Sequence, residues 1–418
     1  MPKALSVSNS IFQNRFIQAI MISAIFLQVG IWVRNFAILL FVMEKTGNNP
    51  FAVSLIYVAE FAPIFLFSII GGTFADRWQP KLTMIWCDLL SALSVIIVLL
   101  AIIYGTWQAI FFVTFVSAIL SQFSQPSAMK LFKTHLPVDK LQSSMAMFQT
   151  LMAIFMIIGP VLGTFVYQTF GITFSISVMG VAFLLSASAL AFLPPDQQRT
   201  TARPEKHFWH ELAEGFRYVW SNKVLKTLGG TFLAAGLAVG VIQPLGVFIV
   251  VERLGLPKEN LQWLLAVYGI AMLIGSGLVM GIAKKISPQM LLAVGMLASS
   301  ISVVGVGLST SLILTLAFQF LGGLFFPCIH IGVNTLILQK TEEVLIGRVN
   351  GVLTPLFMGA MASMIGLAGW LKVKFSLVAM YEFSALLFFM GMLLVATLFN
   401  EKKKHRLYLN KEGPNELQ

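Results

Sequence analysis

The chain has 418 residues, of which 57% are hydrophobic and only 11% are charged. Soluble domains carry about 25% charged residues, and a water-exposed protein has no way to hide this much apolar surface. The composition excludes a soluble protein, and the formal net charge of +11 calls for an explanation other than a nucleic-acid partner. Cys87 and Cys328 lie in apolar runs and show neither metal-binding nor disulfide spacing.

Twelve apolar runs are long enough to cross a bilayer, which takes about 20 residues. Six lie in residues 16–193 and six in residues 224–399. The sequence predicts an all-α integral membrane protein with 12 transmembrane helices in two six-helix halves. The predicted parts are an N-terminal bundle over 1–194, a linker over 195–222, a C-terminal bundle over 223–399 and a basic tail over 400–418.

Lysine and arginine predict the orientation, because cytoplasmic loops carry an excess of both. With both termini in the cytoplasm, 22 of the 28 Lys and Arg lie inside, five lie outside, and Arg34 lies within the membrane. We expect a multi-pass protein of the bacterial cell membrane whose basic loops meet anionic lipids rather than nucleic acid. Residues 207–222 of the linker have the apolar spacing of an amphipathic helix on the inner membrane face.

The loop between the second and third runs reads GGTFADRWQPK over residues 71–81. It resembles the hallmark loop of the major facilitator superfamily, G-x-x-x-D-R-x-x-x-K/R-K, through Gly72, Asp76, Arg77 and Lys81. Pro80 departs from the pattern, which prefers a basic residue there. The resemblance implies the major facilitator fold and a cytoplasmic gate at this loop.

The fifth run contains Gly159, Pro160 and Gly163, which resemble the antiporter motif G-P-x-x-G of drug exporters. In that family the motif is linked with export. Glycine and proline allow a bend and a close helix approach, and we expect the eighth run as the packing partner.

The loop into the eleventh run reads IGRVNG and contains Arg348, and Asp88 lies near the start of the third run. Together with the loop at 71–81, these residues resemble the macrolide-efflux and enterobactin-exporter branch of the drug:proton antiporters. We expect Asp88 to join Asp76 and Arg77 as a gate partner.

Arg34 and Glu60 are ionisable residues inside predicted spans, where charges are costly and mark functional candidates. Arg34 lies about 13 Å and Glu60 about 15 Å from the outer ends of their consecutive, antiparallel runs. They can therefore meet near the bilayer centre. One interpretation makes Glu60 the proton-coupling carboxylate tuned by Arg34, and the other makes the two a static salt bridge.

Two further ionisable residues are secondary candidates. Glu382 is expected to have a peripheral structural role, and His330 a structural hydrogen bond rather than a proton relay. The polar points expected along the substrate cavity are Asn35, Gln149, Gln243 and Tyr268. Around them, abundant Phe and Met suit promiscuous binding of amphipathic ligands.

The sequence lacks the motifs that mark ATP-driven pumps, zinc proteases and serine hydrolases. The chain has no Walker loop, no H-E-x-x-H and no G-x-S-x-G, so we expect no enzyme, no cofactor and no metal. The resemblance and the charges predict a proton-coupled antiporter that exports amphipathic small molecules by alternating access, expected to be a monomer. An exporter of an endogenous metabolite such as a siderophore, and a lysophospholipid flippase, remain as alternatives.

Overall fold

The computed structural model describes residues 14–136, 138–193, 208–282, 285–342 and 345–411, without the side chains of 68–77, 138–140, 142, 208–212 and 400–411. The described residues form a succession of helices with short connections. In chain order the helices are α1 Arg15–Lys45, α2 Pro50–Arg77, α3 Pro80–Ile103, α4 Ala109–His135, α5 138–170, α6 172–191, α7 Phe208–Ser221, α8 Lys223–Phe248, α9 Leu261–Ile282, α10 Pro288–Leu308, α11 Leu312–Lys340, α12 Ile346–Phe375 and α13 Leu377–Lys411.

Gly171 separates α5 from α6. Its φ of 76° and ψ of −174° are not helical and lie in a region that side chains with a Cβ disfavour. The apolar part of this run, Ser143–Ala191, has 49 residues and would measure about 74 Å as one straight helix. That is more than twice the ~30 Å apolar thickness of a bilayer, so the run makes two spans.

Eleven apolar helical runs of the described chain meet the length and hydropathy of a membrane span, and the break at Gly171 makes them twelve. Exposed apolar side chains lie along α3 at helical spacing and form a lipid-facing stripe: Trp86, Leu90, Leu93, Ile97 and Leu100. The predicted all-α fold of twelve spans, six in each half, is confirmed. The cytoplasmic placement of both termini stays a prediction.

Short connections end the helices in ways the sequence favours. Asn14 caps α1 by accepting a hydrogen bond from the Phe16 amide at 2.9 Å. Ser287 caps α10 just before Pro288, whose fixed φ suits the first helical position. Gly105, with φ of 88°, turns the chain between α3 and α4.

The described contacts divide the chain into two compact units. The first holds α1–α6 with residues 257–266, and the second holds α7, α8 and the rest of α9 through α13. In the first unit α1 packs on the α5–α6 run, and α3 packs on α4 and on that run. In the second unit α8 packs on α12, and α10 packs on α11 and α13. The same pairing order therefore recurs in each unit, as expected for an internal repeat.

An apolar cluster fills the cytoplasmic end of the first unit, where α1, α3, α4 and the end of α6 converge. Its members have exposed fractions of at most 7%: Phe16, Ile17, Ile20, Met84, Leu131, Phe132, Leu136, Leu190 and Leu193. This cluster fixes the inner ends of the helices that carry the polar side chains described next.

Candidate functional site

Arg34, Asn35 and Glu60 form a continuous polar trio inside the first unit. The Arg34 guanidinium donates through Nε and Nη2 to the Asn35 side-chain oxygen, at 2.9 and 2.6 Å. The Asn35 Nδ2 in turn donates to Glu60 Oε1 at 3.2 Å. Arg34 is buried, whereas Asn35 and Glu60 are half-buried. The structure thus brings Arg34 and Glu60 together, with the Asn35 amide bridging them in place of a direct ion pair.

The backbone of α2 is weakened one turn beyond Glu60. Pro63 lies inside the helix and has no N–H to donate to the Ala59 carbonyl four residues earlier. The peptide group that leads into Glu60 therefore lacks its usual helical partner. Such a position favours local bending of the helix at the carboxylate.

Aromatic residues flank the members of the trio in the sequence. Trp32 and Phe36 lie on α1 with ring centroids 6.2 Å apart. Tyr57 and Phe61 lie on α2, three residues before and one residue after Glu60. Their rings stack with centroids 6.5 Å apart. The arrangement offers one carboxylate and one amide among aromatic surfaces, a combination that can bind a cation or an amphipath.

The antiporter-motif glycines lie against α1. A Cβ on Gly159 would be 2.4 Å from the Trp32 ring, and a Cβ on Gly163 would be 2.6 Å from the Trp32 carbonyl oxygen and 2.8 Å from Phe36 Cβ. Pro160 lies inside the same helix. The nearest neighbours of both glycines belong to α1, the helix that carries Arg34 and Asn35, and the expected packing against the eighth span stays a prediction.

The hallmark loop is anchored within the first unit. The side chains of Asp76 and Arg77 and the surroundings of Gly72 lie outside the described part of the structure, so the predicted gate role of these residues stays a prediction. Lys81 is described, and its Nζ donates to the carbonyl oxygens of Ala191, at 2.9 Å, and of Leu193. A cation at the negative end of α6 is favourable and ties α3 to α6.

Asp88 lies at one end of a buried chain of hydrogen bonds that runs through Ser186 to Ser23. Ser186 of α6 donates to Asp88 Oδ2 at 2.5 Å, and the Ser23 hydroxyl of α1 is hydrogen-bonded to that of Ser186 at 2.7 Å. All three residues are at most 3% exposed. The sequence identified Asp88 but not the two serines, because serines are common in membrane helices and give no signal of their own.

Tyr268 and His330, two candidates of the second unit, belong to one aromatic row. Tyr268 of α9 meets Phe326 of α11 edge-on at 6.0 Å, and Phe326 meets His330 at 4.9 Å. Gly323 allows this approach, because a Cβ there would be 2.4 Å from the Tyr268 carbonyl oxygen.

The remaining candidates are exposed side chains. Gln149 of α5 and Gln243 of α8 are exposed on their helices. Glu382 is exposed on α13, in line with Leu386 and Phe389 on the lipid-facing side of that helix. Among the residues with described side chains, no three His, Cys, Asp or Glu converge as metal ligands.

Arg348 begins α12 and pairs with the linker helix α7. Its Nη1 lies 2.6 Å from Glu214 Oε1. Gly215 permits the contact, because a Cβ there would be 2.8 Å from the Arg348 carbonyl oxygen. The sequence analysis singled out Arg348 as part of the IGRVNG loop. The structure shows that its partner is Glu214 of the linker helix.

Twelve apolar spans in two structurally repeated halves, with charges confined to few membrane positions, define a polytopic membrane transporter. The sequence pattern of the Major Facilitator Superfamily matches residues 20–258 and 228–416. The chain belongs to this superfamily and is a multi-pass integral membrane protein of the bacterial plasma membrane.

Similar proteins are also transporters. The chain is 25% identical over 377 residues, 87% of each protein, to the uncharacterized MFS-type transporter YkuC of Bacillus subtilis (strain 168). It is 27% identical over 255 residues to the multidrug efflux pump Tap of Mycolicibacterium fortuitum, covering 56% of this chain and 59% of Tap. The crystal structure of a POT family transporter in complex with a thioalcohol-conjugated peptide has a TM-score of 0.74 at 13% identity, covering 92% of this chain and 96% of that one. That likeness concerns the fold alone.

Proposed function

We propose that this chain exports cationic or neutral amphipathic molecules in exchange for protons, with proton and substrate competing for Glu60. The single observation that carries the proposal is the hydrogen-bonded trio of Arg34, Asn35 and Glu60 in the first unit. A half-buried carboxylate next to a bridged cation can bind either a proton or a positive ligand, but binds both together poorly.

The charge of the trio sets the strength of this competition. With Glu60 ionised the trio is neutral, and with Glu60 protonated it carries the single positive charge of Arg34. At an effective dielectric constant of about 20, one unit charge 5 Å away changes the energy of a bound cation by about 3 kcal/mol. That corresponds to more than a hundredfold in affinity, enough for proton uptake to release a cationic substrate.

Two observations support export as the direction. Gly159, Pro160 and Gly163 retain the antiporter pattern, and they lie directly against the α1 residues Trp32 and Phe36 that precede and follow the trio. Tap, a relative at 27% identity, is a multidrug efflux pump. A change in the bend at Pro160 would therefore displace α1, the helix that holds Arg34 and Asn35.

An anionic siderophore is a weaker candidate. Such a ligand would need donors on Arg34, and two of the five N–H groups of its guanidinium are already directed at the Asn35 oxygen. A lysophospholipid flippase would require only the apolar interior, and none of the described contacts favours it over an amphipath exporter.

The test uses proteoliposomes with an imposed pH gradient and ethidium or erythromycin as probes. We compare the wild type with Glu60→Gln, which keeps an acceptor for Asn35 but cannot exchange a proton. The matched control is Glu44→Gln, at the exposed outer end of α1, where the carboxylate accepts a hydrogen bond from Tyr167 at 3.0 Å and lies 3.8 Å from Lys258 Nζ. Probe-dependent proton flux should persist in the control and vanish in Glu60→Gln.

Survival of that flux in Glu60→Gln would overturn the role of Glu60. Absence of flux in the wild type with either probe would overturn proton-coupled export of these amphipaths, whereas the superfamily membership would stand.

A further inference from the structure

The linker helix α7 has two different faces. One face is fixed to α12 through the ion pair of Glu214 with Arg348 and through Gly215, which lies against the Arg348 backbone. Val219 is 5% exposed on the same side. The opposite face exposes Phe216 and Trp220, at 53% and 60%.

The two exposed aromatic rings of α7 pack against each other. The rings of Phe216 and Trp220 stack with centroids 5.5 Å apart and an interplanar angle of 19°. Lys226, in the first turn of α8, places its Nζ 4.7 Å from the centre of the Trp220 ring. Two large apolar rings held open to the surroundings are unfavourable in water unless something covers them.

The charge around these rings is positive. Arg217 is exposed beside Phe216, and Lys226 lies over Trp220. Among the described side chains of α7 the acidic one is that of Glu214, which is paired with Arg348 on the other face. The exposed surface therefore combines aromatic rings with cations, and its natural complement is apolar and anionic.

The position of α7 along the chain places this surface at the membrane. Asn222 caps α8 by accepting from the amides of Val224 and Leu225, so a membrane span begins directly after α7. Trp220 is three residues from the first residue of that span, Lys223, a reach of at most about 11 Å. Headgroup regions are several ångströms deep, and aromatic residues concentrate there.

We propose that this surface of α7, formed by Ala213, Phe216, Arg217 and Trp220 with Lys226 of α8, is a binding site for anionic lipids of the cytoplasmic leaflet. Phe216 and Trp220 enter the interface between headgroups and acyl chains, and Arg217 and Lys226 bind the lipid phosphates. The other face of α7 is ion-paired with Arg348 at the inner end of α12. A lipid bound to α7 is therefore mechanically connected to α12 through this helix. The inference holds whatever molecule the transporter carries.

The experiment places a reporter on the surface without removing an anchor. Ala213 is exposed and lies three residues before Phe216, on the same side of the helix. Ala213→Cys is labelled with bimane in the full-length chain, after Cys87 and Cys328 are replaced by Ser and Ala. The labelled protein is placed in nanodiscs of phosphatidylcholine alone or of phosphatidylcholine with 30% phosphatidylglycerol. Quenching by nitroxide-labelled lipid reports membrane contact, and quenching by iodide reports water contact.

We expect phosphatidylglycerol to increase lipid quenching and decrease iodide quenching. Each of Arg217→Gln and Lys226→Gln should lower the ratio of membrane-bound to water-exposed α7 by about fivefold at low salt. The matched control is Lys374→Gln, which removes a cation lying 5.1 Å over Trp370 at the outer end of α12 and should leave the reporter unchanged. Phe216→Ser with Trp220→Ser should abolish lipid quenching, while gel filtration reports whether that protein is folded.

Equal lipid quenching with and without phosphatidylglycerol would overturn the specificity for anionic lipid. Iodide quenching that persists in both lipids would overturn membrane contact altogether. Protection that appears only as the number of copies per nanodisc rises would also overturn the proposal, since a second copy of the chain would then be the occupant.

Discussion

Gly163 is the residue at which the packing of α5 on α1 can be tested most sharply. In Gly163→Ala the new methyl group would lie 2.6 Å from the Trp32 carbonyl oxygen and 2.8 Å from Phe36 Cβ. Ordinary contact begins near 3.4 Å, so the helices must separate by up to about 0.8 Å. Backbone atoms cannot turn aside as a flexible side chain can, and α1 carries Arg34 and Asn35.

Two opposing effects set the magnitude. Overpacking costs about 1–3 kcal/mol, and replacing glycine by alanine within a helix returns up to about 1 kcal/mol. The net expectation is a loss of about 1–2 kcal/mol in the free energy of unfolding. The hydrogen bond from Asn35 to Glu60, at 3.2 Å, is already at the long end of the usual range. A shift of α1 would lengthen it further, so transport by Gly163→Ala should fall as well.

The assay follows thermal unfolding in detergent with a thiol-reactive dye, since Cys87 and Cys328 are buried and free in the folded chain. The matched control is Gly277→Ala on α9, where nothing lies within 4 Å of the added Cβ. Its Tm should equal or exceed the wild-type value, while that of Gly163→Ala falls by a few degrees. Equal Tm values and full transport in both variants would refute the packing argument.

Three other substitutions test neighbouring contacts. Asn35→Ala removes the bridge to Glu60 and should cost about 1.5–3 kcal/mol, measured by thermal unfolding, whereas an unchanged Tm would show that the trio is not coupled. Asp88→Asn keeps an acceptor for Ser186 and should leave Tm nearly unchanged, but Asp88→Leu should cost about 1–3 kcal/mol; equal effects would contradict the hydroxyl chain. Lys81→Met should cost about 0.5–2 kcal/mol by removing the cation from the end of α6, and a neutral result would dismiss that contact.

The fold was accessible from the sequence because membranes constrain it strongly. Span lengths, loop charges and the hallmark loop together predict twelve helices and their orientation. Counting residues from the outer helix ends also placed Arg34 and Glu60 at one depth, because helical rise is uniform. That part of the site needed only arithmetic along two adjacent helices.

Side-chain contacts between helices were less accessible. Asn35 was expected in the cavity wall, but its role as the bridge depends on which rotamers the packed helices permit. The packing partner of Gly159 and Gly163 could not be predicted from the motif, because small residues indicate a close helix approach but do not specify which helix approaches. Ser186 gave no signal, since its importance arises only from the burial of Asp88 beside it.

The pairing of Arg348 with Glu214 was missed for a related reason. Both residues are prominent in the sequence, but one opens a membrane helix and the other lies in the linker, 134 positions earlier. Only the docking of α7 brings them to 2.6 Å. Contacts over such separations depend on the whole arrangement of the unit rather than on local spacing.

The competition of proton and substrate at Glu60 is tested most directly by proton release from purified protein in weakly buffered detergent. Ethidium is added to saturation, and the pH change is recorded for the wild type, Glu60→Gln and Glu44→Gln. We predict that ethidium binding releases protons from the wild type and from Glu44→Gln but not from Glu60→Gln, and that ethidium affinity of the wild type weakens as the pH falls. Equal proton release from Glu60→Gln, or ethidium binding by the wild type without any release, would contradict the account.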